Sequence, residues 1–288
     1  MSSIKEMTLN EKAPRDFKKE KLVRLPMISH ISEVDTISIL GGVNKNGEEE
    51  NVELTIHKGE IFSIVGPTGS GKSRLLGDVE WIAQRDTPTQ RQVLINGHEP
   101  TYELRFSVEE KLVSQLSQNM NFIMDIQVHE FLVMHAESRG LWEKDKDSLF
   151  EKIIEKANLL AGEPFHGETP LTSLSGGQSR ALMIADTAYL SRSPIVLIDE
   201  IENAGIDRRK ALNLLLKNEK IILMSTHDPI LSLMADKRII IKNGGIYKVL
   251  ETSKEEKANL GVLEKLDKNM MDIRHKLRMG ERIDDMGL

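Results

Sequence analysis

The sequence predicts an α/β fold, with a mostly parallel sheet, flanking helices, an antiparallel β subdomain and a helical subdomain. The strongest observation is a pair of uninterrupted apolar runs, residues 195–198 and 221–224. Strands that are buried on both faces suit the centre of a parallel sheet. A third apolar run, Ile61–Val65, leads directly into a glycine-rich loop and a helix-forming segment. Strand, loop and helix in this order are typical of a sheet that is covered by helices.

The elements follow in order along the chain. Residues 1–34 form an extension without a clear period, and residues 35–250 form the main domain. Turns such as Asn46-Gly47 separate the short strands, and apolar residues recur every three or four positions in the helical segments. The predicted helices are residues 129–140 and 147–160, within a mostly helical stretch from 124 to 161. The predicted strands are residues 36–40, 52–56, 61–65, 93–95, 195–198 and 221–224, followed by a closing hairpin of 239–241 and 246–250.

The C-terminal extension, residues 251–288, has a helical pattern from Ser253 onward. An apolar seam with alternating three- and four-residue steps runs through Leu263, Leu266, Met270, Ile273 and Leu277. The seam covers about two heptads, which is short for an independent coiled coil. This length favours a helix packed on its own domain over a helix for dimerisation or for docking a partner.

The composition is ordinary for a soluble globular protein, with 39% hydrophobic and 29% charged residues among 288. No run of about 18 apolar residues indicates a membrane span, and the charged N-terminal segment lacks the apolar core of a signal peptide. The absence of cysteine excludes disulfides and thiolate metal sites, so we expect a cytoplasmic protein. The net charge of −6 argues against nucleic acid as the main partner.

A phosphate-binding loop follows the strand Ile61–Val65. It matches the pattern G-x-x-x-x-G-K-[ST] with Gly66, Pro67, Thr68, Gly69, Ser70, Gly71, Lys72 and Ser73. Backbone N–H groups of such a loop and the N-terminus of the next helix converge on an anion. Lys72 is placed to reach the β- and γ-phosphates of a nucleotide, and Ser73 to hold Mg²⁺. A glycine-rich turn without a ligand is disfavoured, because Lys-Ser follows the glycines directly.

A second anion-binding helix terminus is predicted about a hundred residues after this loop. Ser-Gly-Gly there brings a hydroxyl and closely approaching N–H groups to a helix start, within Leu174-Ser175-Gly176-Gly177-Gln178. With this motif, residues 35–250 resemble the ATP-binding cassette (ABC) ATPases, whose signature reads LSGGQ. The resemblance implies a P-loop NTPase core, ATP and Mg²⁺ as cofactors, and a helical subdomain at about residues 119–178.

Two carboxylates end the first central strand. Asp199 is placed to bind Mg²⁺, directly or through water, and Glu200 to polarise the attacking water. Two further assignments follow from the resemblance. His227 matches the family's switch histidine, which contacts the γ-phosphate. Gln118 matches the Q-loop glutamine, which senses Mg²⁺ and the attacking water, and Gln115 is a competing candidate.

The resemblance also implies a composite site that is completed by a second cassette, in a homodimer or a heterodimer. Two copies would hold two ATP molecules head to tail, so each isolated site would be incomplete. The signature residues of one copy would close over the γ-phosphate held by the other; these are Ser175, Gly176, Gly177 and Gln178. Binding energy would assemble the site, and hydrolysis would let it open.

Three features depart from the family pattern. The segment around Leu40 and Val43 contains no aromatic side chain to stack on adenine. We therefore expect Leu40 or Val43 to provide an apolar contact to the base instead. Asp207 is the candidate D-loop aspartate, one residue later than usual, and Glu202 adds a third acidic group nearby. Arg74 stands where a small hydroxyl residue is common, and it either reaches the α-phosphate or covers the helix surface.

Two classes of function fit this interpretation. In the first, the chain is the energising subunit of a transporter, bound to membrane permease subunits at the inner face of the membrane through a docking groove in residues 121–173. In the second, it is a soluble ATPase that remodels or assembles a cytosolic client protein. The frequency of transporters in the family favours the first class. Both terminal extensions and the departures above favour the second, so the choice stays open.

Overall fold

The structure is a computed structural model that describes residues 27–28, 33–107, 111–117, 121–140, 146–201 and 206–283. In chain order its strands are Met27–Ile28 (β1), Thr36–Leu40 (β2), Glu53–His57 (β3), Ile61–Val65 (β4), Gln92–Ile95 (β5), Glu99–Pro100 (β6), Val113–Leu116 (β7), Ile195–Asp199 (β8), Ile221–Ser225 (β9), Lys237–Lys242 (β10) and Gly245–Glu251 (β11). Its helices are Lys72–Glu80 (α1), Tyr102–Arg105 (α2), Val128–Ser138 (α3), Lys146–Ala161 (α4), Gly176–Tyr189 (α5), Arg208–Leu216 (α6), Pro229–Met234 (α7) and Lys254–Arg278 (α8).

Six strands make the main sheet, in the spatial order β11-β10-β4-β9-β8-β7. Neighbouring strands are parallel except for the antiparallel hairpin of β10 and β11. The predicted α/β fold is therefore confirmed. Strands β8 and β9 contain the two uninterrupted apolar runs. Each strand continues one residue further than predicted, because Asp199 and Ser225 pair with each other in the parallel register.

The two faces of this sheet contribute to two separate cores. Val196 and Ile198 of β8 join a core with residues of α3 to α6, whereas Ile195 and Leu197 join a core with residues of α1 and the smaller sheet. All four side chains are fully buried. Burial on both faces explains why these strands lack polar alternation, and it holds their ends in place.

The smaller sheet is antiparallel, in the order β3-β2-β5. Strand β3 begins and ends one residue later than predicted, because Ile56 pairs with Ile37 and His57 with Thr36. Strand β1, which belongs to the predicted N-terminal extension, pairs in parallel with β6. This part of the extension is therefore attached to the domain.

The first helix after β7 begins later than predicted. The stretch predicted to be mostly helical from residue 124 forms its first helix only at Val128, where Gln127 and Glu130 make a capping box. Strand β7 is absent from the prediction, because the polar pair Ser114 and Gln115 interrupts its apolar pattern. Pairing with β8 at the edge of the main sheet makes this segment a strand.

Helix α8 packs on its own domain, as the sequence favoured, but through charged side chains. Arg238 donates to Glu256 at 2.5 Å, and Arg208 donates to Asp267 at 2.7 Å. No residue of the helix is buried, and the predicted seam stays largely open, since Leu266 and Met270 are each 49% exposed. Among the described residues, no helix combines the length and apolar character that crossing a bilayer requires.

Replacing Leu197 by alanine tests the contribution of the two-sided sheet. Leu197 is fully buried in β8, so Leu197→Ala should lower the free energy of unfolding by about 2–5 kcal/mol through lost burial and a cavity. The matched control, Leu266→Ala on the open face of α8, should change it by less than about 0.5 kcal/mol. Denaturant titration measures both values, and equal losses would contradict this assignment of the core.

Candidate functional site

A cleft of 610 Å³ opens where the strands β4, β8 and β9 end. Because these strands are parallel neighbours, the loops that follow their carboxyl ends meet at one edge of the sheet. The predicted residues that line the cleft are Thr68, Gly69, Gly71, Lys72, Ser73, Arg74, Glu200 and His227. The tertiary structure thus brings together the phosphate-binding loop, the candidate base and the candidate switch histidine.

The phosphate-binding loop is curled around the ammonium group of Lys72. This nitrogen donates to the carbonyl oxygens of Gly66 at 3.0 Å and Pro67 at 3.4 Å. Gly71 has a φ of 112°, and a Cβ there would lie 2.9 Å from the Cα of Gly244. A side chain at Gly71 is therefore excluded twice, by the backbone angle and by the neighbouring turn.

The N-terminus of α1 is open to an anion. Its N-cap is Gly71, so no side chain accepts from the first N–H groups, and the first turn carries no acidic residue. Elsewhere in the structure the N-cap side chains of α5, α6, α7 and α8 do accept from backbone N–H groups; these are Ser175, Asp207, Asp228 and Ser253. The uncapped N–H groups of α1 therefore remain available to bind phosphate.

Glu200 and His227 form a pair at the cleft. The imidazole Nε2 of His227 lies 3.4 Å from a carboxylate oxygen of Glu200. The backbone of Glu200 is left-handed, with a φ of 52°, and its N–H donates to the carbonyl of Ser225 at 3.0 Å. A left-handed non-glycine residue is strained, and such strain is common where a side chain is aimed at a reacting group.

Three buried polar atoms around the cleft lack a hydrogen-bond partner within the described part of the chain. They are Ser70 Oγ in the phosphate-binding loop, Asp78 Oδ1 on α1 and Ser225 Oγ at the end of β9. Buried polar atoms are normally paired. Asp78 borders the cleft, whereas Ser70 and Ser225 belong to the neighbouring loop and strand and do not line it.

The signature motif lies at the exposed start of α5 and does not line the cleft of its own chain. Ser175 and Gln178 make a capping box, in which the Ser175 N–H donates to the Gln178 side chain at 2.8 Å. Gly176 is exposed and Gly177 is half-buried. The motif therefore presents a helix N-terminus to the outside of the molecule rather than to its own phosphate loop.

The remaining candidates have different surroundings. Asp207 is the N-cap of α6 and accepts from the Lys210 N–H at 3.0 Å. Burial acts to raise the pKa of Asp207, but hydrogen bonds from Lys210 and from the Arg209 N–H outweigh it and lower the pKa. Asp199 is half-buried at the end of β8. When the side-chain amide of Gln115 is oriented with its nitrogen toward Glu80, it donates to the Glu80 carboxylate at 3.0 Å. Gln118 and Glu202 lie outside the described residues.

Five further residues border the cleft, although sequence reasoning missed them: Lys45, Gly77, Asp78, Trp81 and Thr87. Their position at the cleft depends on folding. Helical spacing from Arg74 would nevertheless have placed Gly77, Asp78 and the C-cap residue Trp81 on the same side of α1. Lys45 lies in the segment that lacks an aromatic residue, and its ammonium donates to the Gly69 carbonyl at 2.7 Å. Leu40 and Val43, the predicted adenine contacts, do not line the cleft.

Comparison with known proteins identifies the family. Residues 50–203 match the family described as ABC transporter. An uncharacterised ABC transporter ATP-binding protein of Methanocaldococcus jannaschii is 50% identical over 252 residues, which cover 87% of this chain and 95% of that protein. The energy-coupling factor transporter ATP-binding protein EcfA of the same organism is 28% identical over 261 residues, covering 88% of this chain and 87% of that protein.

The fold is also similar to that of solved structures. A dimeric ATP-binding cassette bound to ADP and phosphate matches with a TM-score of 0.56 and 23% identity, covering 75% of this chain and 99% of that one. Some curated relatives are much longer, and the chain spans 10%, 23% and 34% of three of them. The match over more than half of the chain and the relative at 50% identity agree with the cleft. The chain therefore belongs to the ABC transporter family, as an ATP-hydrolysing P-loop cassette.

Proposed function

We propose that this chain is the energising subunit of a transporter and that it works in pairs, with each cleft completed by a second cassette. The observation that supports the pairing is the position of the signature motif. Ser175, Gly176 and Gly177 lie at the exposed start of α5, outside the cleft that holds Lys72. A second cassette, either another copy or a related chain, would bring such a helix terminus to the γ-phosphate of the bound nucleotide.

The proposed roles follow from the chemistry of the cleft. Lys72 and the open N-terminus of α1 bind the phosphates. Glu200 accepts a proton from the attacking water, and His227, next to it, contacts the γ-phosphate. Arg74 is exposed in the first turn of α1 and borders the cleft, which supports a contact with the α-phosphate.

The oxygen donors present also suit Mg²⁺. The hydroxyl of Ser73 and the carboxylate of Asp199 are hard oxygen ligands, and Gln118 is a third candidate. The described residues contain no cluster of three or more His, Asp or Glu that could hold a metal. Mg²⁺ is commonly held by one or two protein oxygens together with substrate phosphates and water, and Ser73 and Asp199 would suit that role. When bound, Mg²⁺ neutralises charge on the β- and γ-phosphates.

The partners that we propose are membrane permease subunits, docked on the helical subdomain. The relatives at 50% and 28% identity are both named as ATP-binding proteins of transporters. Neither name supports the alternative of a soluble client protein.

Lys72→Ala tests the phosphate-binding role. Lys72 supplies a charge at the centre of the loop, and losing a charge-assisted hydrogen bond should weaken ATP affinity by about 10- to 100-fold. Lys217→Ala, at the exposed C-terminal end of α6, is the matched control and should bind ATP like the wild type. Titration with a fluorescent ATP analogue measures both. Unchanged affinity in Lys72→Ala would contradict the role.

Glu200→Gln tests both hydrolysis and pairing. The amide cannot accept the proton of the attacking water, so turnover should fall by about 10²- to 10⁴-fold while ATP still binds. With ATP and Mg²⁺ the variant should elute as a dimer in size-exclusion chromatography. The control is Glu219→Gln, which lies next to the amino end of β9 and away from the cleft. This variant should hydrolyse ATP at the wild-type rate. A Glu200→Gln variant that stays monomeric with saturating ATP would count against the paired site.

Co-purification from native cells tests the transporter assignment. The tagged protein, extracted from membranes in mild detergent, should bring down an integral membrane protein that mass spectrometry identifies. The contrary result is recovery in the soluble fraction, together with a soluble partner in stoichiometric amount.

A further inference from the structure

Arg91 is a fully buried arginine that no sequence motif singles out. It forms a bidentate pair with Glu50, with Nε donating at 2.8 Å and Nη2 at 2.6 Å. Its Nη1 donates to Asp78 at 2.8 Å, and its Nη2 also donates to the Gly244 carbonyl at 2.7 Å. One guanidinium therefore joins three segments that are far apart in the sequence.

Each of these partners belongs to a segment next to the phosphate-binding loop. Glu50 accepts from the N–H of Gly42 at 3.1 Å and from the N–H of Ile246 at 2.7 Å, so it holds the chain after β2 against the β10–β11 hairpin. Burial acts to raise the pKa of Glu50, but hydrogen bonds from Arg91 and these N–H groups hold it below its usual range. Asp78 lies on α1, the helix that starts at the loop.

The turn of the β10–β11 hairpin also contacts the phosphate-binding loop. The Gly244 N–H donates to the Ser70 carbonyl at 2.7 Å, and the Cα of Gly244 closes the space where Gly71 would carry a side chain. Lys45 connects the same turn to the loop a second time, because its N–H donates to the Asn243 carbonyl at 3.0 Å and its ammonium to the Gly69 carbonyl at 2.7 Å.

These contacts set the direction of the Ser70–Gly71 peptide group in the phosphate-binding loop. In a trans peptide the C=O and the N–H point in opposite directions. Since the Ser70 carbonyl points toward Gly244, the N–H of Gly71 points away from the turn. We propose that Arg91 is a positioning residue for nucleotide binding: through Glu50, Asp78 and Gly244 it holds the hairpin turn and α1 so that the loop is preformed for phosphate.

Affinity for ATP, compared with stability, tests this role in the full chain. Arg91→Lys keeps the charge, but an ammonium cannot reproduce the bidentate pair. We expect ATP binding to weaken by about tenfold or more. Glu50→Gln, which keeps the side-chain shape, is a second and independent variant with the same expected direction. Affinities are measured with a fluorescent ATP analogue at a temperature where circular dichroism shows each variant to be folded.

Lys220→Met is the control for disrupting the hydrogen bonds of a buried charged side chain far from the phosphate-binding loop. Lys220 is also buried, and its ammonium donates at 2.7 Å to the carbonyls of Ser191 and Ser193, but it lies next to the amino end of β9, away from the cleft. Its ATP affinity should stay within about twofold of the wild type even though its melting temperature falls. Equal weakening in Lys220→Met, or normal affinity in folded Arg91→Lys and Glu50→Gln, overturns the proposal.

Hydrogen exchange without nucleotide gives a second readout. In Arg91→Lys, peptides covering residues 66–73 and 242–246 should exchange about tenfold faster, while β8 keeps its protection. A uniform loss of protection would mean that Arg91 acts only on global stability, and would overturn the proposal. The proposal rests on nucleotide binding by this cleft. If the wild-type chain does not bind the ATP analogue, the proposed function fails. If the wild type binds and the folded Arg91→Lys variant binds equally well, only the positioning role of Arg91 fails. The exchange experiment tests the effect of Arg91 on the loop without nucleotide.

Discussion

The parallel alignment of β4, β9 and β8 is the constraint on which the cleft depends. In this register Ile64 of β4 and Asp199 of β8 both pair with Ser225 of β9. The loops that follow therefore emerge side by side, and they bring Lys72, Glu200 and His227 to one cleft. Because the strands are buried on both faces in close-packed cores, their ends have little freedom to shift.

Several features of the cleft oppose folding and are stabilised by the structure around them. Glu200 is left-handed, Lys72 is buried against carbonyl oxygens, and the hydroxyls of Ser70 and Ser225 lack partners within the described residues. Strained backbone and unpaired buried polar groups persist only where surrounding contacts compensate for them. The double core of the sheet and the buried pair of Arg91 and Glu50 supply such contacts next to the loop.

Helix α8 is attached by a different kind of interaction. Its contacts with the domain include the pairs of Arg208 with Asp267 and of Arg238 with Glu256, whereas its apolar residues remain largely exposed. Surface ion pairs contribute little to stability and weaken as salt increases. The attachment of this helix is therefore more sensitive to ionic strength than the packing of α3 to α6, which bury apolar side chains in the core.

The central strands, the phosphate-binding loop and the carboxylates at the end of β8 could be predicted from the amino-acid sequence, because apolar runs and glycine patterns act over a few neighbouring residues. The position of Ser175 at the start of α5 is equally local. Only the tertiary structure made β7 a strand, placed Lys45 and Trp81 at the cleft, and buried Arg91. The physical reason is that these outcomes depend on partners far away in the chain: β7 needs β8 for its backbone hydrogen bonds, and Arg91 is neutralised by carboxylates that folding alone brings together.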